Sequence, residues 1–353
     1  MKVLLPIDRV GDAGIGRVTR DICRFLPEAL PQGDRLVTVG GRPPCSTAPA
    51  VRHIVARYPP TSRVARLLHE QAVIARAARR ADFIHLTDHR PVLATRRPFL
   101  ITIHDLFFVD HPEWYPRSIR LYKQAMLRLA LAKEPAAVVC VSEYTRGRLL
   151  EIAPNLAERA HVVHPGVEPE EAAAHTGDHD FFLTVSTVEP RKNHLTLLAA
   201  FKLARERGLR LRWKIIGATL YGGSKLKERL RATPGVEFAG LVSDGERERL
   251  YREAAFLALP SRAEGFGFTP LEAMARGIPT VCSSGSALDE TAGDAALRVD
   301  PDDVEAWAEA LLRLEADADL RAQLRERGAG QVRKFDPRHS AQRYVEIYRA
   351  VLA

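Results

Sequence analysis

Apolar runs and helical spacings take turns along this chain. The runs at residues 2–7, 36–39, 52–56, 83–87, 99–103, 137–141 and 161–164 read as strands, that at 137–141 as a buried one. Apolar residues at three- and four-residue spacing predict helices over 17–26, 62–80, 117–133 and 143–152, the last with Ser142 as its N-cap. A polar, alanine-rich and acidic stretch, 166–180, then breaks the pattern. It restarts with strands at 181–186, 213–217, 236–238, 255–259, 278–282 and 297–301. Helices are expected over 194–206 (capped by Asn193), 224–232, 244–254, 303–316, 319–332 and 340–352. A short helix opens at Thr269-Pro270-Leu271-Glu272 and is stopped by Gly277 and Pro279.

Two successive βα-alternating halves imply an α/β fold: two doubly wound Rossmann-like domains facing across a cleft. The expected division is a first domain at 1–165, a linker at 166–180 and a second domain at 181–339, with the final helix, 340–353, crossing back onto the first. A length of 353 residues suits two domains with separate cores. No short repeat period is present, which excludes a solenoid.

Charge changes the picture in the first half only. Residues 1–165 hold 25 Lys+Arg against 15 Asp+Glu, the remainder 27 against 29, so an anionic partner is expected for the first half. The excess is densest over 41–100, with 11 basic residues against 3 acidic ones. Arg63, Arg66, Arg76, Arg79 and Arg80 are interleaved there with Val64, Leu67, Leu68, Val73 and Ile74 along one expected helix. Such a helix suits an anionic membrane surface; its apolar residues are expected to pack inward, leaving the arginines to act by charge. No nucleic-acid-binding module is recognisable. Cys23, Cys45, Cys140 and Cys282 are widely spaced without a C-x-x-C pair, as in reduced thiols, and indicate neither a zinc site nor a disulfide framework. With no signal-peptide pattern and no run of the roughly 18 apolar residues a spanning helix needs, a cytoplasmic protein is expected, peripheral on the inner face of the plasma membrane if the basic helix binds lipid.

Candidate chemistry lies in the loops that follow strands. Gly265 and Gly267 let backbone N–H groups approach an anion at the foot of a helix. Glu264 and Glu272 bracket that loop. Glu272 has two readings, a ligand or the acid of a Thr269-x-x-Glu272 capping box. In Glu189-Pro190-Arg191-Lys192-Asn193 two cations precede a helix N-terminus, against the macrodipole. A bound phosphate would account for them; a solvated basic turn is the alternative. His104 ends the strand 99–103, where open α/β sheets bind ligands, though it could equally bridge the loop. The aromatic loop after it shapes an acceptor site or forms a buried flap. Gly11, Gly14 and Gly16 form a glycine loop after the first strand that lacks the dinucleotide spacing. Asp178-His179-Asp180 has a D-x-D form, but in a linker it is incidental, and no metal is expected.

The segment E-G-F-G-F-T-P-L-E, from Glu264 to Glu272, resembles the E-x7-E signature of retaining glycosyltransferases of the GT-B fold, glycosyltransferase family four. The segments E-P-R-K-N and T-I-H-D-L are similar to others of that family. The resemblance implies that Glu264 and His104 meet the donor sugar, that Arg191 and Lys192 hold the nucleotide phosphates, and that Glu272 binds the ribose. It places Gly14 and Gly16 beside the diphosphate and acceptor. It adds Gly265, Phe266, Gly267, Phe268 and Thr269 to the donor site, with Leu241 and Val242 holding the nucleobase through their backbone. The implied activity is hexose transfer from a nucleotide sugar, with retention, to a glycan or polyprenyl-linked acceptor, with no side-chain nucleophile, cofactor or metal. Thr187-Val188 before Glu189 is commonest in mannosyltransferase-like members, which makes GDP-mannose the expected donor ahead of UDP-hexoses and dTDP-rhamnose. A non-catalytic nucleotide-sugar-binding relative is the alternative, and it would disturb His104 or Glu264; both are present.

Overall fold

Strands without polar alternation need cover on both faces, and parallel sheets wound with helices supply it. The computed structural model describes residues 1–7, 14–41, 50–56, 63–93, 95–169 and 180–353. Its first sheet contains β1 (Lys2–Ile7), β2 (Arg35–Gly40), β3 (Val51–Val55), β4 (Phe83–Leu86), β5 (Phe99–Ile103), β6 (Ala137–Cys140) and β7 (Ala160–Val162). The order is β3-β2-β1-β4-β5-β6-β7, every pair parallel. The helices between them are α1 (Gly14–Ala29), α2 (Arg63–Ala78), α3 (Phe107–Asp110), α4 (Arg117–Ala132) and α5 (Glu143–Ile152).

The second sheet contains β8 (Phe181–Val185), β9 (Arg212–Ile216), β10 (Val236–Gly240), β11 (Leu257–Leu259), β12 (Thr280–Ser283) and β13 (Leu297–Val299). Its order is β10-β9-β8-β11-β12-β13, again parallel throughout. Its helices are α6 (His194–Glu206), α7 (Ser224–Arg231), α8 (Asp244–Glu253), α9 (Phe268–Ala275), α10 (Leu288–Thr291), α11 (Val304–Ala316) and α12 (Ala318–Arg333). The chain ends in α13 (Pro337–Leu352). Each sheet reverses its winding once, between β1 and β4 and between β8 and β11. At such reversals neighbouring loops part at the carboxyl edge and leave room for a ligand.

The described residues form two units, Met1–Pro112 with Arg117–Gly166 and Pro337–Ala353, and Glu113–Pro116 with Val167–Asp336. This differs in detail from the sequence expectation. The last helix starts at Pro337 rather than at 340, because proline has no N–H to lose in a first turn. The short segment 113–116, expected in the first domain, groups with the second unit. Helix α1 starts at Gly14, not at 17, so Gly14 and Gly16 lie in a helical turn and not in a loop. Gly11, Cys45, Asp178, His179 and most of the expected linker lie outside the described residues.

In the second unit the rings of Phe182, Phe256, Trp213 and Phe201 pack into one cluster, with Phe182 and Phe256 stacked at 5.1 Å. In the first unit α13 packs on α1 and closes over the buried β4. Nδ1 of His85 on β4 shares a 2.6 Å hydrogen bond with the Tyr348 hydroxyl, and Nε2 one of 3.0 Å with Thr102 Oγ1. Burial pushes the His85 pKa down to about 3, so the ring is neutral and both nitrogens need partners. Replacing Tyr348 by Phe orphans Nδ1 and should destabilise the first unit by about 1–3 kcal/mol in urea unfolding. An unchanged midpoint would show that the contact carries no net energy.

Candidate active site

The loops after β8 and β11 face each other at the reversal in the second sheet, because those strands are neighbours. After β8 the chain turns through a 3-10 turn, Pro190–Lys192, into Asn193 and α6. After β11 it runs through Ser261 to Gly267 into α9. Arg191 joins the two loops: its Nη1 donates to the Ala263 carbonyl at 2.8 Å and to Glu264 Oε2 at 2.9 Å, its Nη2 to Glu189 Oε1 at 2.9 Å. Lys192 Nζ donates to the other Glu264 oxygen at 2.5 Å. Two cations and two carboxylates therefore form one closed cluster.

Glu264 is only 8% exposed. Burial alone would raise its pKa, but Lys192 and then Arg191 outweigh it and hold the carboxyl at about 2. Burial and the neighbouring Arg191 charge lower the Lys192 pKa, and Glu264 opposes both. The cations are thus not waiting bare on a solvated turn. They are fixed and partly desolvated, and an entering anion would share them with Glu264. Asn193 sits at the expected cap position with a left-handed φ of 54°, but its side chain caps no backbone N–H. Its Oδ1 accepts from Thr196 Oγ1 at 2.9 Å, and its Nδ2 donates to the Pro301 carbonyl. That ties the turn to the end of β13. His194, next in sequence, stacks near Trp213, and burial takes its pKa down to about 3.

Gly267 has φ +102°, and a Cβ there would lie 2.7 Å from Leu288 Cδ2. Only glycine fits both constraints. Helix α9 begins directly after it, so Thr269 is inside the helix and the capping box of the sequence reading does not form. The Thr269 hydroxyl lies 3.4 Å from the Val185 carbonyl. Glu272, freed from capping, is half-buried one turn in and accepts a 3.1 Å hydrogen bond from the Tyr251 hydroxyl. Gly265 is buried with Glu264. The Phe266 ring packs edge-on against Phe268 and Phe335, which commits the side chain to the core and leaves only its backbone to face a ligand. Phe268 is half-exposed. After β10, Leu241 is 81% exposed and Val242 is half-buried.

In the first unit His104 directly follows β5 and is half-buried. Its Nε2–H donates to the Thr87 carbonyl at 2.8 Å, which leaves Nδ1 as the accepting side of the ring. Burial lowers its pKa, with that hydrogen bond and Asp105 opposing. Phe107 and Phe108 are buried, and Phe108 stacks on His89 at 5.1 Å. That part of the aromatic loop is therefore a packed flap. Gly14 is exposed and Gly16 buried in the first turn of α1. Asp180 is paired with Arg212, and among the described residues no group of three or more His, Cys, Asp or Glu could hold a metal. Three partners escaped the sequence reading: Tyr251, Ala263 and Thr87. Two act through a backbone carbonyl, and the Tyr251 contact spans two helices, so no local pattern announces them.

Two family models tile the chain. Residues 168–331 match the one described as Glycosyl transferases group 1, and residues 13–171 match Glycosyltransferase Family 4. The chain belongs to glycosyltransferase family four. Among its relatives, the O-antigen chain mannosyltransferase B of Escherichia coli is 27% identical over 265 residues, 70% of this chain and 69% of that protein. The O-antigen chain mannosyltransferase RfbU of Salmonella typhimurium is 28% identical over 226 residues, 61% of this chain and 60% of the relative. Anabaena HepE, solved with UDP and glucose, matches over 99% of this chain and 100% of its own with a TM-score of 0.77 at 18% identity. That likeness shows the two-domain GT-B fold.

Acid should weaken the second unit in two stages. His194 and Glu264 both have folded-state pKa values below their ordinary ones, so each stabilises the fold at high pH and the benefit is lost as pH falls. The His194 stage begins below 6.5 and runs toward about 3; the Glu264 stage begins below 4.5 and runs toward about 2. Each adds a slope of about 1.4 kcal/mol per pH unit within its window. Denaturant titrations of the parent and of Glu264→Gln across this range should show the lower stage only in the parent. The same slope in both below pH 4.5 would mean that the cluster does not control the carboxyl.

Proposed function

We propose that the chain transfers a hexose from a nucleotide sugar to a glycan or lipid-linked saccharide, with retention of anomeric configuration and without a metal. The observation that carries this reading is the Arg191–Glu264–Lys192 cluster at the reversal of the second sheet. When the bond from the anomeric carbon to the diphosphate breaks, negative charge grows on the departing oxygens. Arg191 and Lys192 are already oriented to receive it, and the N–H groups at the foot of α9 lie on the adjoining loop after β11, which Arg191 ties to its own. Glu264 keeps those cations in place and faces the sugar. Glu272, with Tyr251 fixing its carboxylate, accepts the ribose hydroxyls. His104 of the first unit acts on the sugar as a neutral acceptor through Nδ1.

Mannose from GDP-mannose is the favoured donor, supported by the names of the two O-antigen relatives; the UDP bound in HepE keeps UDP-hexoses as the second choice. The basic surplus of the first half supports an acceptor reached at an anionic membrane surface.

A thermal-shift panel of guanosine, GDP, GDP-mannose, UDP and UDP-glucose tests the donor site. GDP and GDP-mannose should raise the melting temperature well above guanosine. Lys192→Ala and Arg191→Ala should each cost about 1.5–3 kcal/mol of diphosphate affinity. Equal affinity for guanosine and GDP in the parent would sink the phosphate site. Glu272→Gln should weaken GDP binding, and an unchanged affinity would remove the ribose contact.

His104→Ala should keep nucleotide affinity and lose turnover, measured as labelled sugar transferred from GDP-mannose. EDTA should leave that turnover unchanged. An active His104→Ala enzyme, or one inactivated by EDTA, would overturn the corresponding part of the mechanism.

A further inference from the structure

The first sheet has a second surface that sugar transfer does not use. Alternation along β2 puts Arg35, Val37 and Val39 on one face, and the parallel register sets Arg52 and Ile54 of β3 beside Val37 and Val39. The other face of β2 is closed, with Leu36 and Thr38 fully buried. On the first face α2 leaves a cavity of about 790 Å³ against the strands. Val37, Val39, Ile54, Val73 and Ala77 give it an apolar wall.

Among the described residues the cations lining this cavity are Lys2, Arg35, Arg52, Arg76, Arg79 and Arg80, and no described carboxylate lines it. None of the five arginines pairs with a described carboxylate. Lys2 and Arg35 are the first residues of β1 and β2, while Arg76, Arg79 and Arg80 close α2 and the turn beyond it. The charges therefore gather at the amino edge of the sheet, whereas His104 follows the carboxyl edge.

A solvated basic face needs no apolar wall, and an apolar groove needs no cluster of like charges, whose repulsion an anion would relieve. Both together match a ligand with an anionic head and a hydrocarbon chain. Guanidinium groups bind phosphate oxygens in pairs, and the volume suits a headgroup with the first part of one chain.

We infer that this cavity seats an acidic phospholipid, its phosphate against Arg35, Arg52, Arg76 and Arg79 and an acyl chain along Val37, Ile54 and Val73. The inference gives the membrane-surface reading a specific place on the chain. It does not depend on the nucleotide-sugar reading, and the two are measured with different ligands.

The test is calorimetric titration of the whole chain with dihexanoyl-phosphatidylglycerol below its micelle concentration. Dihexanoyl-phosphatidylcholine and glycerol 3-phosphate are the comparison ligands. The acidic lipid should bind at least about tenfold more tightly than either, and Arg76→Gln with Arg79→Gln should weaken it by about tenfold or more. Val73→Ser should weaken the lipid and leave glycerol 3-phosphate unchanged. Unaltered thermal midpoints in these variants separate lost binding from lost folding. Parent chain should also co-sediment with phosphatidylglycerol vesicles more than the double arginine variant does.

Glycerol 3-phosphate binding as tightly as the lipid would make this a site for small phosphorylated molecules and overturn the inference. So would equal binding of the zwitterionic lipid, equal sedimentation of parent and variant, or no binding of any of the three.

Discussion

A carboxylate as deeply buried as Glu264 is tolerable only while it is fully paired, and much of the second unit's site follows from that condition. Arg191 and Lys192 satisfy it from a loop 73 and 72 residues away. In doing so Arg191 also takes up the Ala263 carbonyl and Glu189, so one guanidinium stitches together the loops after β8 and β11. The adjacency of those two strands at the winding reversal makes the stitch geometrically available. Once made, it leaves two cations oriented and stripped of much of their water before any ligand arrives. That is the condition under which electrostatic stabilisation of a leaving group is strongest.

The first unit holds its strand ends differently. His85, Thr102 and Tyr348 form a buried run of neutral hydrogen bonds, and the Thr87 carbonyl fixes the tautomer of His104. Ion pairs appear further out, where Arg90 bridges Glu70 and Asp88 and pins the loop after β4 to α2. Arg35, Arg52, Arg76, Arg79 and Arg80 gather at the amino edge around α2, which gives part of the basic surplus of this half a location away from the strand-end histidine.

Central parallel strands such as β5 and β6 were legible in the sequence because burial on both faces leaves apolar runs, and loops between them stand out by contrast. Glu264, Arg191, Lys192 and His104 were legible as candidates because each lies in the segment after a strand, where an open α/β sheet exposes its loops, and Glu272 because it closes the same glycine-rich segment as Glu264. The ion pairing among the first three was not, since nothing local links positions so far apart in the chain. The Phe266 ring shows the same limit, since only the approach of Phe335, distant in the chain, reveals it as packed in the core.

What the sequence by itself determined was the alternation of strands and helices, their grouping into two doubly wound sheets, and which loops carry charge and glycine. Tertiary structure alone decided what those groups do to one another. Thr269-x-x-Glu272 reads identically whether or not it caps a helix; the left-handed turn at Gly267, packed under Leu288, starts the helix two residues too early for the box. Gly14 and Gly16 read as a loop, yet they are wound into α1. In each case the local pattern admits two backbone paths, and at Gly267 the packing of Leu288, distant in the chain, bears on the one taken.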